Sequence, residues 1–353
     1  MSLDCAEKIA EAVLYEGHIL YPYRASSVKN RQRWNFGVLC PRGYCEEQSG
    51  SEAWMMQTEC LLEAGPSTRF SLEVRFLQIL TRTVGKLAHP IDALPSEGEP
   101  EWNPVEQLVV DGRAYSPWQE AIERKVTIAG IHPGNAMRVR HSAFEFPLQR
   151  EIEPIRACEG AIEGIVVRDW ETVRGAIEID INACGEGLQK ITLRLRNLVE
   201  REFSQASERS DALMFSLVSA HMILSADDGS FISLLDPPEN LRKLAAQCVN
   251  VGTWPVLVGA DGEHDTMLSS PIILYDYPQI APESPGSLFD GTEIDEILSL
   301  RILTLTDQEK EEMRQSDERS REILERTESM PPEQFMKLHG VLRGIHPVGE
   351  EAQ

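Results

Sequence analysis

The sequence predicts a mainly β (α+β) fold: antiparallel, β-sandwich-like sheets with peripheral helices at the N- and C-terminal ends. Three observations carry that expectation. Residues 70–84 alternate almost completely, with Phe70, Leu72, Val74, Phe76, Gln78, Leu80, Arg82 and Val84 on one side, the period of a half-buried strand. Two further alternating runs flank Gly185-Glu186-Gly187, the first with Ile177, Ile179 and Ile181 on one face and the second with Ile191, Leu193 and Leu195 on one face. Such a pattern predicts a hairpin of an antiparallel sheet with one wet side. Short apolar runs separated by turn residues then follow at 211–224, 230–235, 254–259 and 269–277, as expected of a two-sheet arrangement.

The elements follow in chain order. Residues 4–15 place Ala6, Ile9, Ala12 and Val13 at helical spacing, which predicts an amphipathic helix. An irregular stretch is expected at 18–45, punctuated by Pro22, Gly37, Pro41 and Gly43, and a surface loop at 89–106, with its prolines and acids. Asp227-Asp228-Gly229 reads as the turn joining two strands, and Asp236 before Pro237 and Pro238 reads as a helix start, with Leu241, Leu244, Ala245 and Cys248 as the buried stripe. Helices are also expected from Thr292 to about Leu300, from Thr306 to about Thr327, where Thr306 and Glu309 form a capping box, and over 331–339. A division near residue 150 is expected, giving an α+β region at 1–150 and a sandwich-like region with C-terminal helices at 151–353.

Composition narrows the functional classes. The 353 residues are 42% hydrophobic and 26% charged, ordinary for a folded chain. No run approaches the 18 apolar residues of a membrane span, and the N-terminus lacks the basic start and apolar core of an export signal. A cytoplasmic protein without membrane association is the expectation. The net charge of −23 repels nucleic acid and favours a partner with a basic face. Seven cysteines, odd in number and mostly isolated, read as reduced thiols rather than a disulfide framework.

Three groups of residues could carry function. Cys40 and Cys45, with Cys60 further on, offer soft metal ligands, but the spacing lies at the edge of the zinc range and no second pair completes a set. A fourth ligand would have to come from elsewhere, such as His18, so neither metal nor other cofactor is expected. Tyr21, Tyr23, Arg24, Lys29, Arg31, Arg33 and Trp34 form a basic, aromatic segment in an acidic chain. Arginine forks and aromatic faces there suit an acidic protein surface, or internal pairing with the chain's own acids. Glu283, Asp290, Glu293 and Glu296 belong to an acidic run in which Glu293 and Glu296 share a helix face. Paired carboxylates serve glycoside or metal-dependent hydrolysis, while an acid at a helix start is also favoured by the dipole alone. HExxH, GxSxG, Walker A and GxGxxG motifs do not occur.

Several segments also resemble a family of bacterial proteins associated with gene clusters for [NiFe] hydrogenases of the actinobacterial type. The segments are LYPYRASSVKNRQRWNFG, SLVSAHMILSADDGSFISLLDPPE, TWPVLVG, SSPIILYDYPQIAPESPGSLFDGTEIDEILSLRILTLTDQEK and DERSREILERTE, spread over most of residues 18–328. The resemblance brings no catalytic residues with it. It implies a non-enzymatic accessory protein that assists hydrogenase assembly or maturation, with hydrogenase subunits or maturation factors as partners. An enzyme with a carboxylate-lined site is the alternative.

Overall fold

A computed structural model describes residues 2–15, 36–133, 140–278, 310, 314 and 318–329. The chain forms two compact units, one of residues 1–19 and 32–278, the other of residues 20–31 and 279–353. The first is built on an antiparallel sheet that has eleven strands among the described residues, so the mainly β expectation holds. Residue 150 falls within a strand of that sheet, which continues on both sides of it.

The sheet is organised by one strand, β1 (Met55–Ile91), 37 residues long. One edge of β1 pairs with β11 (Val218–Ile232) and then β8 (Ile162–Trp170). The other edge pairs in turn with β10 (Leu188–Asn197), β5 (Trp118–Ile131) and β2 (Trp102–Pro104). Beyond these lie β9 (Val173–Gly185) and β6 (Arg140–Phe146) next to β10, β7 (Gln149–Arg156) next to β8, and β13 (Thr266–Ser270) and β12 (Trp254–Leu257) next to β11. A small separate ribbon joins β3 (Leu108–Val110) to β4 (Arg113–Tyr115). The inner faces enclose one core. Phe70, Leu72, Val74 and Phe76 of β1 meet Ile177, Ile179 and Ile181 of β9, Ile191, Leu193 and Leu195 of β10, and Met222 and Leu224 of β11.

The expected hairpin is present, and its register sets Ile179 opposite Leu193, Ile181 opposite Ile191 and Ile177 opposite Leu195. Its second face is not simply wet. Thr192 and Glu178 are buried there, and Glu178 sits 2.5 Å from Arg194 and 3.0 Å from Arg196. The alternating strand at 70–84 is likewise buried on both sides over its middle. Leu77 and Ile79 pack against Leu14 of α1 (Ser2–Tyr15), Tyr44 and Cys45 of α2 (Arg42–Glu47), and Leu213 of α3 (Arg209–Leu213). Ala6, Ile9 and Ala10 of α1 cover Ile223, Val256 and Leu268. The side chains of Ala12 and Val13 lie outside the described set.

Other boundaries differ from expectation for identifiable reasons. The stretch 18–45 was expected to be irregular, yet its end begins α2, where the Pro41 carbonyl accepts from the Cys45 N–H at 3.2 Å. Residues 209–213 form a helical turn, so the strand expected from 211 starts at Val218. Asp227-Asp228-Gly229 is not a turn but lies within β11, because residues 65–68 of β1 bulge opposite it and Asp228 takes φ +54° to stay in the ladder. The strand expected over 269–277 ends at Ser270, where Pro271 lacks the N–H donor a ladder needs. The helix after Pro238 is short, α4 (Arg242–Ala245), but Leu241 and Ala245 are buried and Leu244 and Cys248 pack beside them, as expected.

In the second unit, α5 (Glu318–Ser329) carries Glu328, which is 3.2 Å from Lys310 and 2.7 Å from Arg314. The helices expected at 292–300 and 331–339 lie outside the described residues. Among the described residues no helix is long and apolar enough to cross a membrane.

Candidate functional site

Among the described residues, one concave feature of the first unit is a groove of about 610 Å³ where four chain segments converge. The β9–β10 turn supplies Gly185, Glu186 and Gly187, with Cys184 and Leu188 beside it. β1 supplies Glu63, Ala64 and Gly65, β11 supplies Asp228, Gly229 and Ser230, and Asn240, Leu241 and Leu244 close the side at α4.

Strand register explains the convergence. Glu63 lies opposite Leu188 on one edge of β1 and opposite Ser230 on the other, and Ala64 lies opposite Gly229. The Ala64 N–H donates to the Gly187 carbonyl at 2.7 Å. Thr68 Oγ1 accepts from the Gly65 N–H at 2.8 Å and donates to the Asp228 carbonyl, which locks the bulge. Gly187 needs its φ of +70° for this turn, a conformation a Cβ disfavours.

The floor is apolar: Leu188 and Leu241 are buried and belong with Leu61, Ile232 and Ala245 to one cluster. The rim is acidic. Glu63, Glu186 and Asp228 are exposed, and among the described residues none of the three forms an ion pair. Lys190, two residues beyond Leu188, does not neutralise the rim because Glu59 holds it at 2.6 Å. Burial pushes the Glu59 carboxyl up, but Lys190 and the hydrogen bonds from Val249 N and Thr192 Oγ1 outweigh it, so Glu59 titrates below its ordinary range. Carboxylates over an aliphatic floor recognise a cationic side chain with an apolar neighbour.

The residues singled out in the sequence are distributed as follows. Tyr21, Tyr23, Arg24, Lys29, Arg31, Arg33 and Trp34 lie outside the described residues, as do Glu283, Asp290, Glu293, Glu296 and His18. Cys40, Cys45 and Cys60 are not gathered into one site. Cys60 is fully buried in the main core, whereas Cys40 and Cys45 sit in the cluster beneath α2. Cys40 precedes the Pro41 cap and Cys45 is four residues into the helix end, so the two thiols form the hydrophobic staple of that helix. Their hydrogen bond lowers the Cys45 thiol and raises Cys40. Among the described residues no group of three or more His, Cys, Asp or Glu side chains is placed to hold a metal ion.

Sequence reasoning did not single out the groove. The glycines at 185, 187 and 229 were its visible signal, but only the pairing of β1 with both β10 and β11 brings them together. Comparison with models of protein families and with curated proteins finds no match.

Proposed function

We propose that the protein is a non-enzymatic accessory protein that holds a basic, partly apolar segment of a protein partner, and that the partner is a hydrogenase subunit or maturation factor. The groove carries this reading: an apolar floor under Glu63, Glu186 and Asp228, on a framework fixed by strand pairing. The chain's net charge of −23 adds long-range attraction for a basic partner. The family resemblance supports the identity of the partner, and the segment Tyr21–Trp34 offers a second contact for an acidic part of it.

Capture from the native host tests the reading. The full chain is expected to retain a hydrogenase subunit or maturation factor, less so at high salt. Glu63→Lys with Glu186→Lys should lose that partner while circular dichroism stays unchanged, because both side chains are exposed. Arg24→Glu with Arg31→Glu reports on the second contact in the same assay. Retention of no such partner, or retention indifferent to charge reversal in the groove, overturns the proposal.

A further inference from the structure

The helix α2 has six residues, and no side chain caps its start. Cys40 precedes the Pro41 cap and Cys45 is the fourth helical residue, the two positions that a hydrophobic staple brings into contact. Cys40 is fixed by backbone pairing. Its N–H donates to the Ala53 carbonyl at 2.8 Å, and Leu39 before it exchanges hydrogen bonds with Leu217. The Asn197 side chain donates to the Leu39 carbonyl at 2.9 Å. Cys45 instead moves with α2, so the contact between the two cysteines joins the helix to that junction.

The two thiols meet. They share a hydrogen bond, and Cys45 Sγ also reaches back to 3.9 Å from the Cys40 carbonyl oxygen. Cys184 and Cys248, by contrast, direct their thiols to backbone carbonyls. Cys40 is fully buried and Cys45 is 3% exposed, in the cluster that holds Leu77, Ile79, Leu213 and Val218. The shared hydrogen bond raises Cys40 and lowers Cys45, which makes Cys45 the thiol that ionises first and attacks.

We propose that Cys40 and Cys45 are a reversible dithiol, oxidised by hydrogen peroxide to a disulfide that fastens α2 to the Leu39–Leu217 junction. A water-sized oxidant is required because so little of Cys45 is exposed. The Cys45 thiolate attacks one peroxide oxygen, the O–O bond breaks, and the departing hydroxide takes up a proton as water. Cys45 is left as a sulfenic acid. The Cys40 sulfur then attacks the Cys45 sulfur, the S–O bond breaks, and the Cys40 proton leaves with the second water. Two thiols are oxidised and one peroxide is reduced. A dithiol reductant restores both thiols and ends as a disulfide itself.

The test treats the reduced full chain with hydrogen peroxide, blocks the remaining thiols with iodoacetamide in denaturant, and maps tryptic peptides by mass without reduction. Cleavage after Arg42, between the two cysteines, shows the link as two joined peptides. A Cys40–Cys45 link that dithiothreitol reverses is expected. Cys40→Ser should stop at the sulfenic acid on Cys45, which dimedone traps. Oxidation should also slow hydrogen exchange of the amides at 42–50 by about tenfold or more, because the closed loop opposes local opening. That measurement on the parent chain keeps the test decisive should Cys40→Ser fail to fold. If Cys40 and Cys45 both stay free once the exposed Cys158 is oxidised, the proposal is overturned. A link that leaves exchange at 42–50 unchanged overturns it as well.

Discussion

His221 is fully buried on β11, directly opposite Arg75 of β1. Its Nδ1 lies 2.9 Å from the Ser219 carbonyl, which assigns the proton to that nitrogen, and Nε2 has no partner among the described residues. Burial drives its pKa down to about 3. The Ser219 carbonyl opposes the fall, and Arg75 and Lys125 add to it. Glu123 at 2.6 Å from Arg75, with Glu73 beside it, is engaged by those cations. Below the ordinary value of 6.5 the unfolded chain takes up a proton that the folded chain refuses. The stabilisation from His221 is therefore complete above that value and lost progressively as pH falls toward 3, at about 1.4 kcal/mol per pH unit. Urea unfolding at pH 7 and pH 5 should show it: His221→Asn is expected to reduce the loss of stability between those two conditions by about 2 kcal/mol. The histidine was plain in the sequence. Its burial was not, since that depends on α1 covering a strand more than 200 residues away.

The β9–β10 hairpin was legible as an element because alternation and a Gly-x-Gly turn both survive in it. Ile179 and Leu193 are core residues, so Ile179→Asp or Leu193→Asp should cost about 4 kcal/mol or more through an unpaired buried charge. A variant that matched the parent in thermal unfolding would disprove the facing of this hairpin. Strands β5 to β8 were not legible. In β5 the run Glu120-Ala121-Ile122-Glu123-Arg124-Lys125 does not alternate apolar with polar, because one face carries the Glu120 and Arg124 contacts and the other carries Glu123 to Arg75. Polar networks on both faces erase the period that reveals a strand. A close approach in the same region gives a second prediction. A Cβ at Gly164 would lie 2.7 Å from the Gly85 carbonyl oxygen of the neighbouring strand. Gly164→Ala should therefore destabilise by about 2 kcal/mol, although alanine in an open strand position is normally the better residue. Denaturant midpoints for this variant measure the cost.

Across the first unit, β1 pairs with five other strands and no stretch of it is independent of the rest. Unfolding of this unit should be one cooperative event, with coincident transitions by far-ultraviolet dichroism and tryptophan fluorescence. The net charge of −23 acts against compactness through self-repulsion. Raising sodium chloride from about 10 mM to about 200 mM shortens the screening length from roughly 30 Å to under 10 Å. The melting temperature should therefore rise by roughly 2–4 °C; no change would mean that the acids are already balanced locally.

Sequence alone determined the mainly β class, the N-terminal helix, the hairpin at 185–187 and its facing, and the buried register of residues 70–84, including the two polar residues within it. Those follow from periodicity, a property of neighbours along the chain. Only the tertiary structure decided that β1 serves both β10 and β11, that Asp228 lies in a bulge rather than a turn, that an acidic groove forms over Leu188 and Leu241, and that Arg82 lies opposite Arg168. Each of these depends on pairing between residues far apart in the chain, and strand partners are chosen by burial and hydrogen bonding across that distance, which no local pattern encodes.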